Sequence, residues 1–248
     1  MLDRLALTGH TMITRMAQLE AITNNLANIS TNGYKREELF VNELKKQVSV
    51  LNESDFTANQ HIPEAGANID FSQGALERTA GPLDIAISGD GLFTVETQNG
   101  EAYTRDGRFT LNQDGILTTF DGHPVLGEGG PVEINLQENA ANEILINERG
   151  EILLAGNIVE SLKIVSNEKA EDFIKIGGNL FQLRPGAEAL PVENPVVKQG
   201  FLENSNVDSV REMVAMIELM HHYEVAQKMI RSQDGLLNRA VNDIGRVG

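Results

Sequence analysis

Two stretches at opposite ends of the chain repeat one spacing, and that pairing limits what the region between them can be. Leu5, Gly9, Met12, Met16, Leu19, Thr23 and Leu26 are separated alternately by four and three residues, the spacing of a heptad seam. Ala6, Ala17, Ile22 and Ile29 widen that face. Near the other end Met213, Met216, Met220, Tyr223, Gln227, Ile230, Asp234, Leu237, Val241 and Ile244 repeat the pattern, with Val210, Val214, Ile217 and Val225 beside it. The spacing predicts a helix from Leu2 to Ile29, about 42 Å long, and a second of about 30 residues or more from Val207. Ser209 with Glu212 reads as a capping box for the second helix. Asn32-Gly33 stops the first pattern, with Gly33 placed to supply a left-handed residue at its end. Helices of this length owe their stability mainly to packing. A helix at each terminus therefore implies a chain folded back on itself. The apolar faces are wider than a two-helix pair can cover, and each large apolar side chain fully buried contributes about 1.5–3 kcal/mol, which favours self-association.

Between the helical patterns the periodicity changes. Residues 34–69 carry Lys35, Arg36, Glu37 and Glu38 and then a polar run with Pro63 and Gly66, a connecting segment. Within it Leu39–Leu51 suits helix and strand equally. From Asp70 the pattern is of short strands. Leu83, Ile85 and Ile87 alternate, Leu92–Val95 is a compact β-type run, and Asn99-Gly100 is a hairpin signal. Asp106-Gly107, Asp114-Gly115 and Asp121-Gly122 read as successive turns. Further short strands are expected up to Val196–Leu202, without helical segments between them, which points to an antiparallel sheet domain and away from a βαβ fold. The fold class expected is α+β. Long N- and C-terminal helices pack as a coiled-coil-like axial domain, and a central, mainly antiparallel β domain lies between them. The divisions run 1–33, 34–69, 70–203 and 204–248.

Charge separates the same regions. Residues 1–50 hold 6 Lys/Arg and 5 Asp/Glu, residues 201–248 hold 5 and 7, and residues 51–200 hold 9 and 24. An acidic middle argues against binding nucleic acid or anionic lipid, whereas near-neutral ends can associate closely. Cys and Trp are absent, which removes disulfides, thiolate metal sites and a Cys nucleophile. Neither an apolar run long enough to span a membrane nor a signal-peptide layout is expected. His221-His222 point about 100° apart on a helix and read as packing or surface residues, not metal ligands. The Asp-Gly pairs lack calcium-loop spacing, and Glu128-Gly129-Gly130-Pro131 and Gly177-Gly178 match no phosphate loop. Nothing pairs two carboxylates for glycoside hydrolysis, and no nucleophile elbow is present. No catalytic residue, cofactor or metal site is assigned. On residue chemistry alone Asn24, Asn25 and Asn28 fit two readings equally. They are polar residues on the solvent face of a capped helix, or hydrogen-bonding residues that fix register across a helix contact.

Four stretches, in order along the chain, resemble the bacterial flagellar rod and hook proteins. They are Asn24-Asn25-Leu26-Ala27-Asn28 with Thr31-Asn32-Gly33-Tyr34-Lys35; Gly74-Ala75-Leu76 leading to Pro82–Ile87 and Gly89-Asp90-Gly91-Leu92-Phe93; Tyr103–Phe109 followed by Gly115 and Leu117; and Gln199–Glu203 with Ser205-Asn206-Val207. Leu92 and Tyr34 stand where relatives often carry other residues. The chain is too short for the outer domain that hook proteins add, and Gly122–Pro131 resembles the proximal rod type more than the distal.

The resemblance implies a structural subunit of the basal-body rod, not an enzyme. Its terminal helices would form an inner layer around the export channel of a tubular, torque-transmitting shaft, with the β domain outside. Leu5, Met12, Met16, Leu19, Asn24, Asn25, Leu26 and Asn28 are then expected at helix or subunit contacts. Their partners are Val214, Ile217, Met220, Tyr223, Ile230 and Leu237, with Asn32 and Gly33 at the junction. The implied partners are further copies, neighbouring rod subunits and the flagellar type III export apparatus. No nucleic acid, small-molecule substrate or membrane insertion is expected, and the location is the basal body within the cell envelope, reached through that apparatus. The alternatives kept beside this are a distal rod subunit, a carbohydrate-active β domain on a helical dimerisation stem, and a coiled-coil adaptor.

Overall fold

The computed structural model describes residues 2–40, 66–134, 144–166 and 169–244. Most of Leu39–Leu51 lies outside them, as do the side chains of Leu5 and Leu237. The chain divides into two compact units: Met1–Leu26, Glu37–Asn68 and Asp208–Gly248 form one, Ala27–Arg36 and Ile69–Val207 the other. The observed class is α+β, with a helix near each terminus and a central antiparallel β region.

In the first unit, helix α1 runs Leu2–Ala27 and helix α2 runs Ser209–Ile244. Asp208, not Ser209, caps α2: its Oδ1 accepts the backbone N–H groups of Val210 and Arg211 at 2.9 and 3.1 Å, satisfying two of the donors a helix start leaves open. The box expected from Ser209 and Glu212 starts one residue late. α1 ends at Ala27, six residues before Gly33, so Gly33 turns the chain and does not end the helix. Strand Arg36–Phe40 pairs with strand Gly66–Asp70.

The β unit is built on a six-stranded sheet in the order Phe173–Gly177, Leu180–Leu183, Gly100–Thr104, Leu92–Thr97, Ile164–Ser166, Leu190–Pro191. Every neighbouring pair is antiparallel. Leu92, Phe93, Thr94 and Val95 are all buried, because this sheet is covered on both faces and needs no polar side. Phe93, Val95, Ala102, Ile164 and Leu180 enter a large core with Ile85, Leu117, Val132 and Ile152. Leu92, Tyr103, Val165, Phe173 and Phe181 face the other way, into a smaller core with Ile69 and Phe71. There the Phe71 ring lies 5.2 Å from both Phe173 and Phe181, at tilted and edge-on angles.

Strands Ile144–Ile146, Glu151–Leu154 and Asn157–Ser161 form a second, antiparallel sheet. Two-stranded ribbons pair 85–87 with 197–199, 76–78 with 201–203, and 109–111 with 117–119. The expected hairpin is present, but its two-residue loop is Gln98-Asn99, with Thr97 opposite Gly100. Asp106-Gly107 is no hairpin turn: a Cβ on Gly107 would overlap the Ile85 carbonyl, so the glycine serves close backbone approach.

Candidate assembly surfaces and a buried ionic junction

α2 carries apolar residues on opposite sides. Ala215, Met216, Leu219, Tyr223 and Ile230 share one side and are half-buried. Val210, Met213, Val214, Ile217 and Met220 share the other and are 42–65% exposed, as are Val225 and Met229 further along. Spacing of three and four makes the second group a stripe. On α1, Ile13 and Met16 are 62% and 55% exposed, and a groove of about 620 Å³ runs past Ile13, Met16, Ala17, Leu19, Glu20 and Thr23 to Asn24. Large, contiguous, exposed apolar surface is uncommon on a free protein and marks association.

The residues singled out in the sequence fall into distinct environments. Val214, Ile217 and Met220 lie on the exposed stripe and Met16 on the exposed side of α1, whereas Met12, Leu19, Leu26, Tyr223 and Ile230 are half-buried. The three asparagines separate as well. Asn24 is exposed, and Asn28 is half-buried, with its Oδ1 accepting from the Thr31 hydroxyl at 3.2 Å. Asn25 is 1% exposed. Its amide pairs with the backbone of Glu37 in both senses, donating to the carbonyl at 2.9 Å and accepting from the N–H at 3.0 Å. It also lies 3.5 Å from the carboxylate of Glu212, itself buried in the first turn of α2. Asn25 thus acts on the segment that follows α1 and on the start of α2.

Thr31–Lys35 of the first resemblance stretch and residues of the other three lie in the β unit, and there the structure reveals a site for which the sequence had suggested no role. Glu203, 2% exposed, accepts from Lys35 Nζ at 2.7 Å, Arg105 Nε at 2.6 Å and the Gly74 N–H at 2.9 Å. Lys35 donates further to the carbonyls of Ser72 and Phe71 at 2.7 and 3.3 Å. The Arg105 guanidinium donates to the carbonyls of Ile87 at 2.9 Å, Gly89 at 2.6 Å and Gly91. One carboxylate therefore meets two buried cations, and each cation is solvated by backbone carbonyls, as a buried charge requires. Burial pushes the Lys35 ammonium below its ordinary value, opposed by the Glu203 carboxylate.

Neighbouring residues place the segment that carries Lys35. Gly33 has φ +69°, and a Cβ there would overlap the backbone of Arg105 and Asp106. Its N–H donates to the Glu203 carbonyl at 2.7 Å. Tyr34 is buried, with Lys175 Nζ 3.9 Å from its ring centroid. Asn179 donates to the Asn32 carbonyl at 3.1 Å. Asn206 accepts from the Arg36 N–H at 2.8 Å and donates to the Asp70 carbonyl at 2.8 Å. A signal for this site was present: opposite charges inside otherwise glycine-rich or apolar stretches. Sequence alone could not bring residues 35, 105 and 203 together.

No cluster of three or more potential metal ligands occurs among the described residues. His221 and His222 are both exposed. A groove of about 540 Å³ in the β unit is lined by Glu128, Glu148, Glu151 and Glu193 together with Arg149 and Lys163. Among the described residues no helix is long and apolar enough to cross a membrane.

Three family models match in the expected order. They are described as "Flagella basal body rod protein" over residues 9–35, "Flagellar hook protein FlgE/F/G D1 domain" over 86–154, and "Flagellar basal body rod FlgEFG protein C-terminal" over 198–243. Among curated relatives, the flagellar basal-body rod protein FlgF of Caulobacter vibrioides is 34% identical over 95% of both chains. The FlgF of Rhizobium meliloti is 32% identical over 92% of both. The FlgG of Agrobacterium fabrum is 34% identical over 93% of this chain and 95% of its own. Identity at this level over nearly the full length of both chains means that this chain belongs to the family of flagellar basal-body rod proteins.

Proposed function

We propose that the chain is a structural subunit of the flagellar basal-body rod, of the proximal type, and that it works through its interfaces and catalyses nothing. The observation that carries this is the exposed stripe of Val210, Met213, Val214, Ile217 and Met220 on α2 in a member of this family. A filament subunit has reason to keep such a surface, because neighbours cover it on assembly. In the rod, α1 and α2 pack coiled-coil fashion with helices of adjoining copies and neighbouring rod subunits. Leu5, Met12, Met16, Leu19, Asn24, Leu26, Asn28, Tyr223, Ile230 and Leu237 contribute to those contacts or flank them, while Asn25 orders the helix ends.

Residues 1–33 and 204–248 form the axial helical part of this division, 34–69 connect, and 70–203 form the outer β domain. Asn32 and Gly33 turn the chain at the junction held by Glu203. Stiff helical packing transmits torque, and the subunit reaches its place in the cell envelope through the flagellar type III export apparatus. A distal position in the rod is the second reading, favoured by the equal identity to the Agrobacterium FlgG.

Deletion and complementation test the proposal. Loss of swimming on deletion, rescue by the wild-type chain and failure of rescue by Ile217→Glu would support it. Normal swimming without the chain would overturn it. Antibody labelling of purified basal bodies separates a proximal from a distal position.

A further inference from the structure

The chain has seven methionines and neither cysteine nor tryptophan, so its thioethers are the side chains that a mild two-electron oxidant such as hydrogen peroxide attacks. Among the described residues these methionines divide by exposure and by position. Met213 and Met220 stand in the exposed stripe of α2, on one side of the helix. Met229 is as exposed as Met220, 53% against 50%, but lies about two and a half turns further on and projects from the opposite side. Met216 is on the half-buried side of α2. Methionine suits an adaptable apolar contact, and its sulfoxide does not: the new S–O group is polar. Buried in such a contact without a donor, it weakens the packing about ten-fold or more.

We infer that Met213 and Met220 are oxidation sites through which peroxide controls assembly. A free chain carrying sulfoxides there does not enter the rod, and burial in the rod shields the same two thioethers. This rests on the rod reading and adds a chemical control to its stripe. In the step itself a sulfur lone pair forms an S–O bond to one peroxide oxygen as the O–O bond breaks. The departing hydroxide takes the proton from the transferred oxygen and leaves as water. Sulfur gives up two electrons and the peroxide accepts them. Methionine sulfoxide reductases reverse the change, so the block is reversible. Leucine at both positions keeps the stripe apolar and nearly conserves volume, while removing the sulfur.

The purified full-length chain is treated with hydrogen peroxide and its peptides are followed by mass spectrometry. Met213, Met220 and Met229 should gain oxygen faster than Met216. In isolated basal bodies containing the chain, Met213 and Met220 should stay unoxidised over the time that converts the free chain. The effect on assembly is read in a flagellated strain lacking the native gene and the sulfoxide reductases. Wild type, Met229→Leu, and Met213→Leu combined with Met220→Leu are each induced during a peroxide pulse. Newly made chain in basal bodies should fall about ten-fold or more for wild type and Met229→Leu, and stay at the untreated level for the double variant. Restoring the reductases should restore wild-type incorporation. Equal loss for all three versions overturns the inference. So does wild-type chain that enters basal bodies during the pulse with sulfoxide at Met213 or Met220, a result that needs no variant. Oxidation of those residues in basal bodies as fast as in the free chain overturns it too, and all three results leave the rod reading intact. Absence of untreated wild-type chain from basal bodies overturns both.

Discussion

Replacing Glu203 with Gln removes the one negative charge from a buried cluster that holds two cations. The replacement is nearly isosteric, so packing changes little and the loss is electrostatic. Glu203 accepts from Lys35, Arg105 and Gly74 at 2.6–2.9 Å. A Gln amide retains one oxygen and turns an NH₂ group towards a donor. Breaking a buried ion pair by removing one partner costs about 3–5 kcal/mol. Two pairs are broken here, but their costs do not double. Arg105 keeps its bonds to the Ile87, Gly89 and Gly91 carbonyls and Lys35 keeps those to Phe71 and Ser72, so each cation stays partly solvated. The expected loss is therefore about 3–5 kcal/mol, and at about 2–4 °C per kcal/mol for a domain of this size the melting temperature falls by about 6–20 °C.

Urea unfolding followed by near-ultraviolet circular dichroism measures the loss. The chain has no Trp and three Tyr, and Tyr34 and Tyr103 are buried in the β unit, so the signal reports on that unit. The exposed Lys163–Glu101 pair, also 2.7 Å long, serves as control. Its loss in Lys163→Met should stay within about 1 kcal/mol. A cost below about 1 kcal/mol for Glu203→Gln would refute the reasoning, since the cluster would then behave as a surface pair.

Four further outcomes are expected. The Lys35 ammonium is held below lysine's ordinary 10.5, so in the window below 10.5 this group binds more protons in the unfolded chain and its contribution to stability rises with pH; burial raises Tyr103 and contributes with the opposite sign, so urea midpoints measured up to pH 10.5 should rise more steeply, or fall less, in the wild type than in Lys35→Met. Gly107→Ala should cost about 3 kcal/mol or more, because the new Cβ meets the Ile85 carbonyl in a packed core, and an unchanged melting temperature would contradict the close approach. Asn25→Ala leaves the N–H and C=O of Glu37 without their side-chain partner and should destabilise the helical unit by about 1–3 kcal/mol, read by far-ultraviolet circular dichroism. Asn24→Ala, at an exposed position, should stay within about 0.5 kcal/mol.

The helices were legible because heptad spacing is local: Met213, Met216 and Met220 announce a face without reference to the rest of the chain. Their ends were less so. Asp208 and Ser209 are both good capping residues, and only the geometry of the Val210 and Arg211 N–H groups chooses between them. Turn chemistry located the sheet's hairpins but misread Asp106-Gly107, where the missing Cβ serves a contact with a residue more than twenty positions away. The asparagine cluster could be noticed but not resolved, since adjacent helical positions face different surroundings and only Asn25 points inward. Lys35, Arg105 and Glu203 stood inside the most distinctive stretches. Strands Leu76–Arg78 and Phe201–Glu203 lie side by side and set Glu203 near Gly74, and the Gly33 N–H bond to the Glu203 carbonyl brings in the segment of Lys35, long-range contacts that no local pattern encodes.

The most direct measurement is a reconstruction of the basal body at a resolution that places side chains, with this chain located in it. The account predicts the chain within the rod, α1 and α2 in the inner layer, and Val214, Ile217 and Met220 buried against a neighbouring subunit. A chain found outside the rod, or within it with that stripe facing solvent, would contradict the account.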